Sequence, residues 1–259
     1  MTNSGYSEEL RGLLTDGAGE FGVELNSAQI DKFFKYMELL KTWNGKINLT
    51  SIEDDRDIIL KHFIDSISIV PTTNKSININ MRSMTNTSEG YYPQVIDIGT
   101  GAGFPGIPLK IISQEINITL LDSIDKKVKF LEECIAYLDL SKIRAFHGRA
   151  EDYAHKAGHR EFYDIAVARA VANLPVLLEY CLPFVKEGGV FIAMKGRNID
   201  EISDSNKALD ILGGKIEEIR EINLPFTDNM RNIIIIRKFR QTPTKYPRKA
   251  GKPSKIPLI

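Results

Sequence analysis

Cysteine is nearly absent: the 259-residue chain holds only Cys134 and Cys181, neither has a CxxC neighbour, and no histidine-rich segment accompanies them. A disulfide framework and a zinc site are both unsupported, and the two thiols read as buried, reduced core residues. Net charge is absent too, because 34 Lys and Arg balance 34 Asp and Glu, so composition alone points to neither a nucleic-acid nor a membrane partner. Long apolar runs are missing. The longest aliphatic stretch, Ile233 to Ile236, falls well short of the ~18 residues that cross a bilayer. The opening MTNSGYSEEL has neither the basic nor the apolar region of a signal peptide, so the expectation is a cytoplasmic protein with no membrane partner. What remains, 42% hydrophobic and 26% charged residues, is the balance of a globular chain. The length allows one large domain, or one domain with an appendage.

Residues 1–71 read as helical. From Ser27, available as an N-cap, the apolar positions Ile30, Phe33, Phe34, Met37, Leu40 and Trp43 make one stripe. Ile59, Phe63, Ile67 and Val70 make a second that stops at Pro71, and a weaker helical stretch covers 7–14. Residues 72–94, rich in Asn, Ser and Thr, read as a polar loop or linker. Over 95–240 the pattern changes to short apolar runs: QVIDI (94–98), NITLLD (117–122), IRAFH (143–147), YDIAVA (163–168) and GVFIAMK (189–195). These fit buried parallel strands. Val128, Leu131, Ile135 and Leu138 mark a helix after Asp125, and residues 174–185 mark another before Gly188 and Gly189. Strand and helix alternate, which predicts an α/β sheet. RNIIIIRK (231–238) follows without an obvious crossover helix and is expected to pair antiparallel at the sheet's end. Residues 241–259 form a basic, proline-containing tail. From Arg237 to the end, Lys238, Arg240, Lys245, Arg248, Lys249, Lys252 and Lys255 occur with no acidic residue, which reads equally as a flexible arm for phosphates or a solubilising end.

The strand VIDI runs directly into Gly99, Thr100, Gly101, Ala102, Gly103, Phe104, Pro105 and Gly106. Glycines at a strand-to-helix junction permit positive φ and let a bulky ligand approach the backbone, although an ordinary tight turn needs them as well. The next strand ends in Asp122, where a carboxylate can accept both hydroxyls of a ribose, and the pair makes a nucleoside-binding signature. The spacing is GxGxG rather than the GxGxxG of dinucleotide sites. Asp97, two residues before the first glycine, offers a carboxylate to an amine or a positive charge, which favours S-adenosylmethionine over NAD. HGRAED (147–152) falls where a third strand delivers residues to the same edge, so Ala150 and Glu151 can border an adenine or simply begin a helix. Arg169, at the mouth of the fourth strand, can hold a carboxylate or a phosphate, or belong to a structural ion pair.

With these segments in hand, the chain resembles the RsmG (GidB) family, methyltransferases that modify a guanine at N7 in bacterial 16S ribosomal RNA. The resemblance runs through WNGKINLTSI, HFIDSI, VIDIGTGAGFPGIPLKI, LLDSIDKKVKFLEE, HGRAED, AVARAVANLPVLLEYCLPFV and PRKAGKPSKIPL. It implies a class I, Rossmann-like methyltransferase fold: a mostly parallel seven-stranded sheet with an antiparallel last strand, joined here to an N-terminal helical cap. It implies S-adenosylmethionine as methyl donor and the small ribosomal subunit as partner; a monomer is the expected state. The family's cofactor positions fall on Gly99, Phe104, Ala150, Glu151 and Arg169, with Asp122 at the ribose and Gly101 and Gly103 in the same turn. Phe104 would form an apolar wall over the nucleoside.

Guanine N7 carries a free lone pair, so that reaction requires alignment rather than a general base. Hence no triad and no metal are expected, and His62, His147, His155 and His159 read as structural or surface residues. Arg169 and Lys195 are the positioning candidates. Candidates for RNA contact are Asn48, Lys195, Arg197, Arg248, Lys249 and Lys252. An NAD-dependent oxidoreductase, an RNA-binding module without activity and a methyltransferase for another acceptor are the competing readings.

Overall fold

The computed structural model describes residues 6–70 and 92–259. The expected polar linker at 72–94 lies almost wholly outside the described residues. Three helical stretches come first. α1 (Glu8–Glu20) is capped by the Ser7 hydroxyl, which accepts from Leu10 N. α2 (Ser27–Ile47) is capped not by Ser27 but by Asn26. Asn26 and Gln29 exchange side-chain and backbone bonds in a capping box, which satisfies two orphan N–H groups at once. The third stretch is α3 (Asp55–Ile58), a π-helical turn (Ile59–Ile64) and α4 (Asp65–Ile67) end to end. Its apolar residues Ile59, Phe63 and Ile67 recur every four positions. A strict interval of four drifts around a helix of 3.6 residues per turn, and the wider π turn takes up that drift, so all three stay buried.

The sheet follows, with strands β1 (Gln94–Ile98), β2 (Asn117–Asp122), β3 (Ile143–His147), β4 (Tyr163–Arg169), β5 (Val185–Lys195), β6 (Gly214–Asn223) and β7 (Met230–Lys238). Their order is β3-β2-β1-β4-β5-β7-β6. The first five run parallel, and β7 lies antiparallel between β5 and β6. Two expectations need correcting here. RNIIIIRK is antiparallel but is an inner strand, because GKIEEIREIN is itself a strand and takes the edge. Its alternating burial, core side against solvent, has the period of two that a half-exposed edge strand requires. The second concerns 174–185: α8 (Leu174–Cys181) and a 3-10 turn end at Phe184, and Val185 already opens β5.

α5 (Gly106–Ile112), α6 (Asp125–Tyr137), α7 (Ala150–Tyr153) and α9 (Asn206–Leu212) complete the crossovers. One apolar core joins α1, α2 and the π-turn helix to α5, α6 and one face of the sheet; a second lies under α7, α8 and α9 on the other face. The N-terminal helices therefore form one layer of the sandwich. Cys134 and Cys181 are buried and unpaired. Among the described residues no helix is long and apolar enough to cross a membrane.

Residues 241–259 are not a free arm. Tyr246, Pro253 and Leu258 are buried against the second core. Arg160 donates to the carbonyls of Thr242, Pro243 and Tyr246, and Arg248 forks onto Glu179, which is 1% exposed, with Nη2 to Oε2 at 2.6 Å. The segment is strapped across α8 and ends in the short helix α10 (Lys252–Lys255).

Candidate active site

The glycine turn sits between β1 and α5, at the C-terminal edge of the parallel strands. Each glycine there answers to a different neighbour. A Cβ on Gly99 (φ +67) would lie 2.7 Å from Val171, one on Gly103 (φ +95) 2.5 Å from Ile107, and one on Gly106 2.3 Å from Leu120. Gly101 (φ +63) differs: the nearest atoms to a Cβ are 4.0 Å away, so its outer face is open. Three of the four glycines thus serve close packing, and one leaves room for a ligand.

Asp97 lies beneath the turn rather than at its mouth. It is fully buried, and its Oδ2 accepts from Thr100 Oγ1 at 2.6 Å and Gly106 N at 2.8 Å. Oδ1 has no hydrogen-bond partner among the described residues. Burial raises this carboxyl to about 6, against the pull of those two bonds and of Arg169. Asp122, at the end of β2, accepts from Gly101 N through Oδ2 at 2.8 Å and from Ile124 N through Oδ1 at 2.9 Å, so it braces the turn from below. Each oxygen keeps a second lone pair for a further donor.

The helical layer roofs the turn. The Tyr36 hydroxyl donates to the Ala102 carbonyl. Phe104, 4% exposed, is stacked under His62 at 4.5 Å and 20°, with the Arg169 guanidinium 4.8 Å from its ring centre. Phe104 is therefore a joint between cap and sheet rather than an open wall. Arg169 is also held on all sides: Nη1 donates to Asp65 Oδ2 at 2.9 Å and to the Lys61 carbonyl, and Nη2 lies 3.3 Å from His62 Nδ1. Asp65, 3% exposed, takes a second arginine through Oδ1, 3.1 Å from Arg231 Nε. His62 Nε2 lies 2.8 Å from Thr50 Oγ1. Facing a guanidinium, Nδ1 must be the acceptor, which leaves the ring proton on Nε2 for Thr50. Burial, then Arg169, depress this imidazole to about 3, so it is neutral at physiological pH.

Beside this cluster lies a cavity of about 370 Å³, lined by Ile52, Lys61, His62, Asp65, Arg169, Ala170, Met194, Lys195, Gly196 and Arg231. A second of about 570 Å³ shares Ala170, Lys195 and Gly196 with it and reaches Val171, the side chain packed on Gly99. Lys195 Nζ stands between them, paired with Glu201 at 2.7 Å and donating to the Ala172 carbonyl at 2.8 Å. The edge thus combines an open glycine, an unmet buried acceptor and a cationic hollow. Among the described residues no group of His, Cys, Asp and Glu is placed to hold a metal.

Compared with known proteins, residues 29–233 match the family model GidB, described as rRNA small subunit methyltransferase G. The chain belongs to this family. It is 60% identical over 250 residues to the ribosomal RNA small subunit methyltransferase G of Acetivibrio thermocellus, spanning 96% of this chain and 97% of that protein. It is 48% identical to those of Alkaliphilus oremlandii and Clostridium botulinum strain 657, each over 251 residues, 96% of this chain and 99% of each relative. The enzyme is accordingly an rRNA small subunit methyltransferase, and the oxidoreductase reading falls away.

The remaining sequence candidates in this methyltransferase G chain separate by their surroundings. Ala150 and Glu151 are both buried at the start of α7, just after β3, and Glu151 Oε1 accepts from Gly251 N at 2.9 Å. Asn48 is exposed in a left-handed conformation (φ 49) at the end of α2, and Arg197 is exposed after β5. Lys249 and Lys252 are exposed on the strap, whereas Arg248 spends its guanidinium on Glu179 and the Ile256 carbonyl. Arg248 is an anchor, which removes it from the RNA candidates. Sequence reasoning missed His62, Asp65 and Arg231. The segment HFIDS carries the first two at a spacing of three, one face of a helix, but nothing in the sequence places Arg231 against them from 166 residues away.

Proposed function

We propose that this chain transfers a methyl group from S-adenosylmethionine to N7 of one guanine in 16S ribosomal RNA, acting as a cytoplasmic monomer with no membrane partner. The observation that carries the reading is the open face of Gly101, whose amide is braced by Asp122, in a chain of the methyltransferase G family. The residues present fit the donor. Gly99, Gly101 and Gly103 shape the turn that would receive it, Asp122 has lone pairs left for ribose hydroxyls, and Ala150 with Glu151 would border the adenine. Asp97 Oδ1 is an acceptor still lacking an N–H. Phe104 and Arg169 hold the far wall of that site in register with the cap. When bound, S-adenosylmethionine supplies a methyl group made electrophilic by its sulfonium.

The chain's own residues position and exclude. N7 is nucleophilic without losing a proton, so His62 need not act as a base; neutral, and engaged through both ring nitrogens, it fixes Arg169. In A-form RNA, N7 faces a groove too narrow for side chains, so the target guanine must enter unpaired. The cavity walled by Met194, Lys195, Arg169 and Arg231 is our pocket for it. Its lining sets Lys61, Arg169, Lys195 and Arg231 against the single acid Asp65, a net positive wall toward a polyanion, while Asn48, Arg197, Lys249 and Lys252 are exposed around the same enzyme for direct RNA contact.

The test is transfer of labelled methyl from S-adenosylmethionine to small ribosomal subunits, and to deproteinised 16S rRNA, both lacking the modification. Label at a single 7-methylguanine, mapped by chemical strand scission, is the expected result. Donor binding with no label on either substrate, or label at another atom, overturns the reading.

A further inference from the structure

One hydrogen bond joins the two halves of the binding surface just described. Glu151 is 4% exposed and sits in the first turn of α7, just after β3, yet its Oε1 accepts from the amide of Gly251, one hundred residues further along the chain. Gly251 lies between Lys249 and Lys252. It adopts φ +80, and Lys252 N donates to the Lys249 carbonyl at 3.0 Å, so residues 249–252 form one tight turn. Both lysine side chains are exposed. Moving Glu151 therefore moves the amide that carries two free cations.

We propose that Glu151 is a positioning residue for two ligands at once, making the methyl donor at the strand ends and rRNA phosphates on the strap lysines bind cooperatively. The inference rests on the reading of Ala150 and Glu151 as the adenine side of the donor site. A carboxylate offers about four acceptor positions, of which the Gly251 amide takes one, on Oε1. A donor amine on Oε2 would pin the carboxylate from its second oxygen, and through Oε1 it would pin the Lys249–Lys252 turn. Phosphates on the lysines order the same turn from the other side. Each ligand then finds part of the ordering already done, which is positive coupling without a large structural change. The rest of the strap is a fixed frame for this turn: Arg248 is forked onto Glu179, Arg160 holds three strap carbonyls, and Pro253 is buried. RNA is the occupant assigned because the lysine turn carries no acid and the enzyme's substrate is itself a polyanion.

The experiment uses the full chain, a fluorescent unmodified 16S rRNA transcript, and S-adenosylhomocysteine as an unreactive donor analogue. RNA affinity is measured with and without the analogue, and analogue affinity with and without RNA. In the wild type each ligand should tighten the other by about five-fold or more, equally in both directions. Glu151→Leu should bring that factor to one, and so should Glu151→Gln, whose single side-chain oxygen can accept from Gly251 or from the donor amine but not from both. Lys249→Glu with Lys252→Glu should weaken RNA binding, lower the salt slope by about two, and also abolish the coupling. That arm stands even if Glu151→Leu fails to fold. A coupling factor of one in the wild type, a factor retained in Glu151→Leu, or RNA affinity indifferent to the lysine reversal overturns the proposal. A folded wild type that does not bind the analogue at all would instead overturn the donor-site reading; analogue binding without coupling leaves that reading standing and ends this one.

Discussion

At the scale of single residues, two buried titratable groups near the turn pull stability in opposite directions as pH falls. His62 is held neutral with a value near 3, against 6.5 when unfolded, so below pH 6.5 the unfolded chain binds the extra proton and stability drops. At pH 5 this costs about 2 kcal/mol relative to pH 7. Asp97, raised to about 6 from 3.8, takes up its proton first in the folded state, and so restores about 1.4 kcal/mol over the same interval. Urea unfolding of the wild type should therefore change little between pH 7 and 5, while Asp97→Asn should lose close to the full His62 amount. An Asp97→Asn profile as flat as the wild type would contradict the assignment. Arg169→Lys keeps the charge but not the fork that reaches Asp65, Lys61 and His62 together, and should lower turnover by about a hundred-fold in the methyl-transfer assay. Asp97, Gly101 and Asp122 were legible in the sequence because a strand, a glycine turn and an acid at the next strand's end are local patterns. His62 and Asp65 were not, since a helical His and Asp look alike whether they face solvent or an arginine from another element.

At the scale of elements, the glycine turn makes a graded prediction. Gly106→Ala drives a Cβ to 2.3 Å from Leu120 and 2.9 Å from Asp97 Oδ2, at the point where α5 begins. Overpacking of this kind costs about 1–3 kcal/mol and should also displace the Asp97 bond that shapes the turn. Gly101→Ala meets open space and costs only its left-handed backbone, about 1–2 kcal/mol, yet it fills the face left for a ligand. Calorimetric titration with S-adenosylmethionine, set beside thermal melts, separates the two. Gly106→Ala should lose mainly stability, and Gly101→Ala mainly donor affinity. β1, β4 and β5 were readable as apolar runs because the sheet is covered on both faces there and most of their residues are buried, and α6 was readable from its helical periodicity. β6 escaped because GKIEEIREIN buries only alternate residues and carries many charges, as an edge strand can. The π turn escaped for another reason: an interval of four is also what a regular helix shows over a short span.

At the scale of the whole molecule, the C-terminal strap is part of the folded body. Arg248→Ala would leave Glu179 charged and buried without its partner, a loss of about 3–5 kcal/mol in urea unfolding. Glu179→Leu combined with Arg248→Met should recover most of it, because removing both charges leaves neither unpaired. Recovery of nothing would mean the strap is anchored elsewhere. Its basic composition was plain in the sequence, but its order was not, because Glu151 and Glu179, which fasten it, are distant in the chain and unremarkable where they stand.

The position of β7 has a consequence for how the enzyme comes into being. Since Met230–Lys238 lies between β5 and β6, both of those strands wait for a segment made after them. During synthesis the growing chain therefore carries two unpaired strand edges rather than one. A chain cut short before residue 230 should accumulate as aggregate rather than as a smaller soluble enzyme. The ribosome whose RNA this enzyme methylates must bring β7 into the world before β6 can join the five strands already paired.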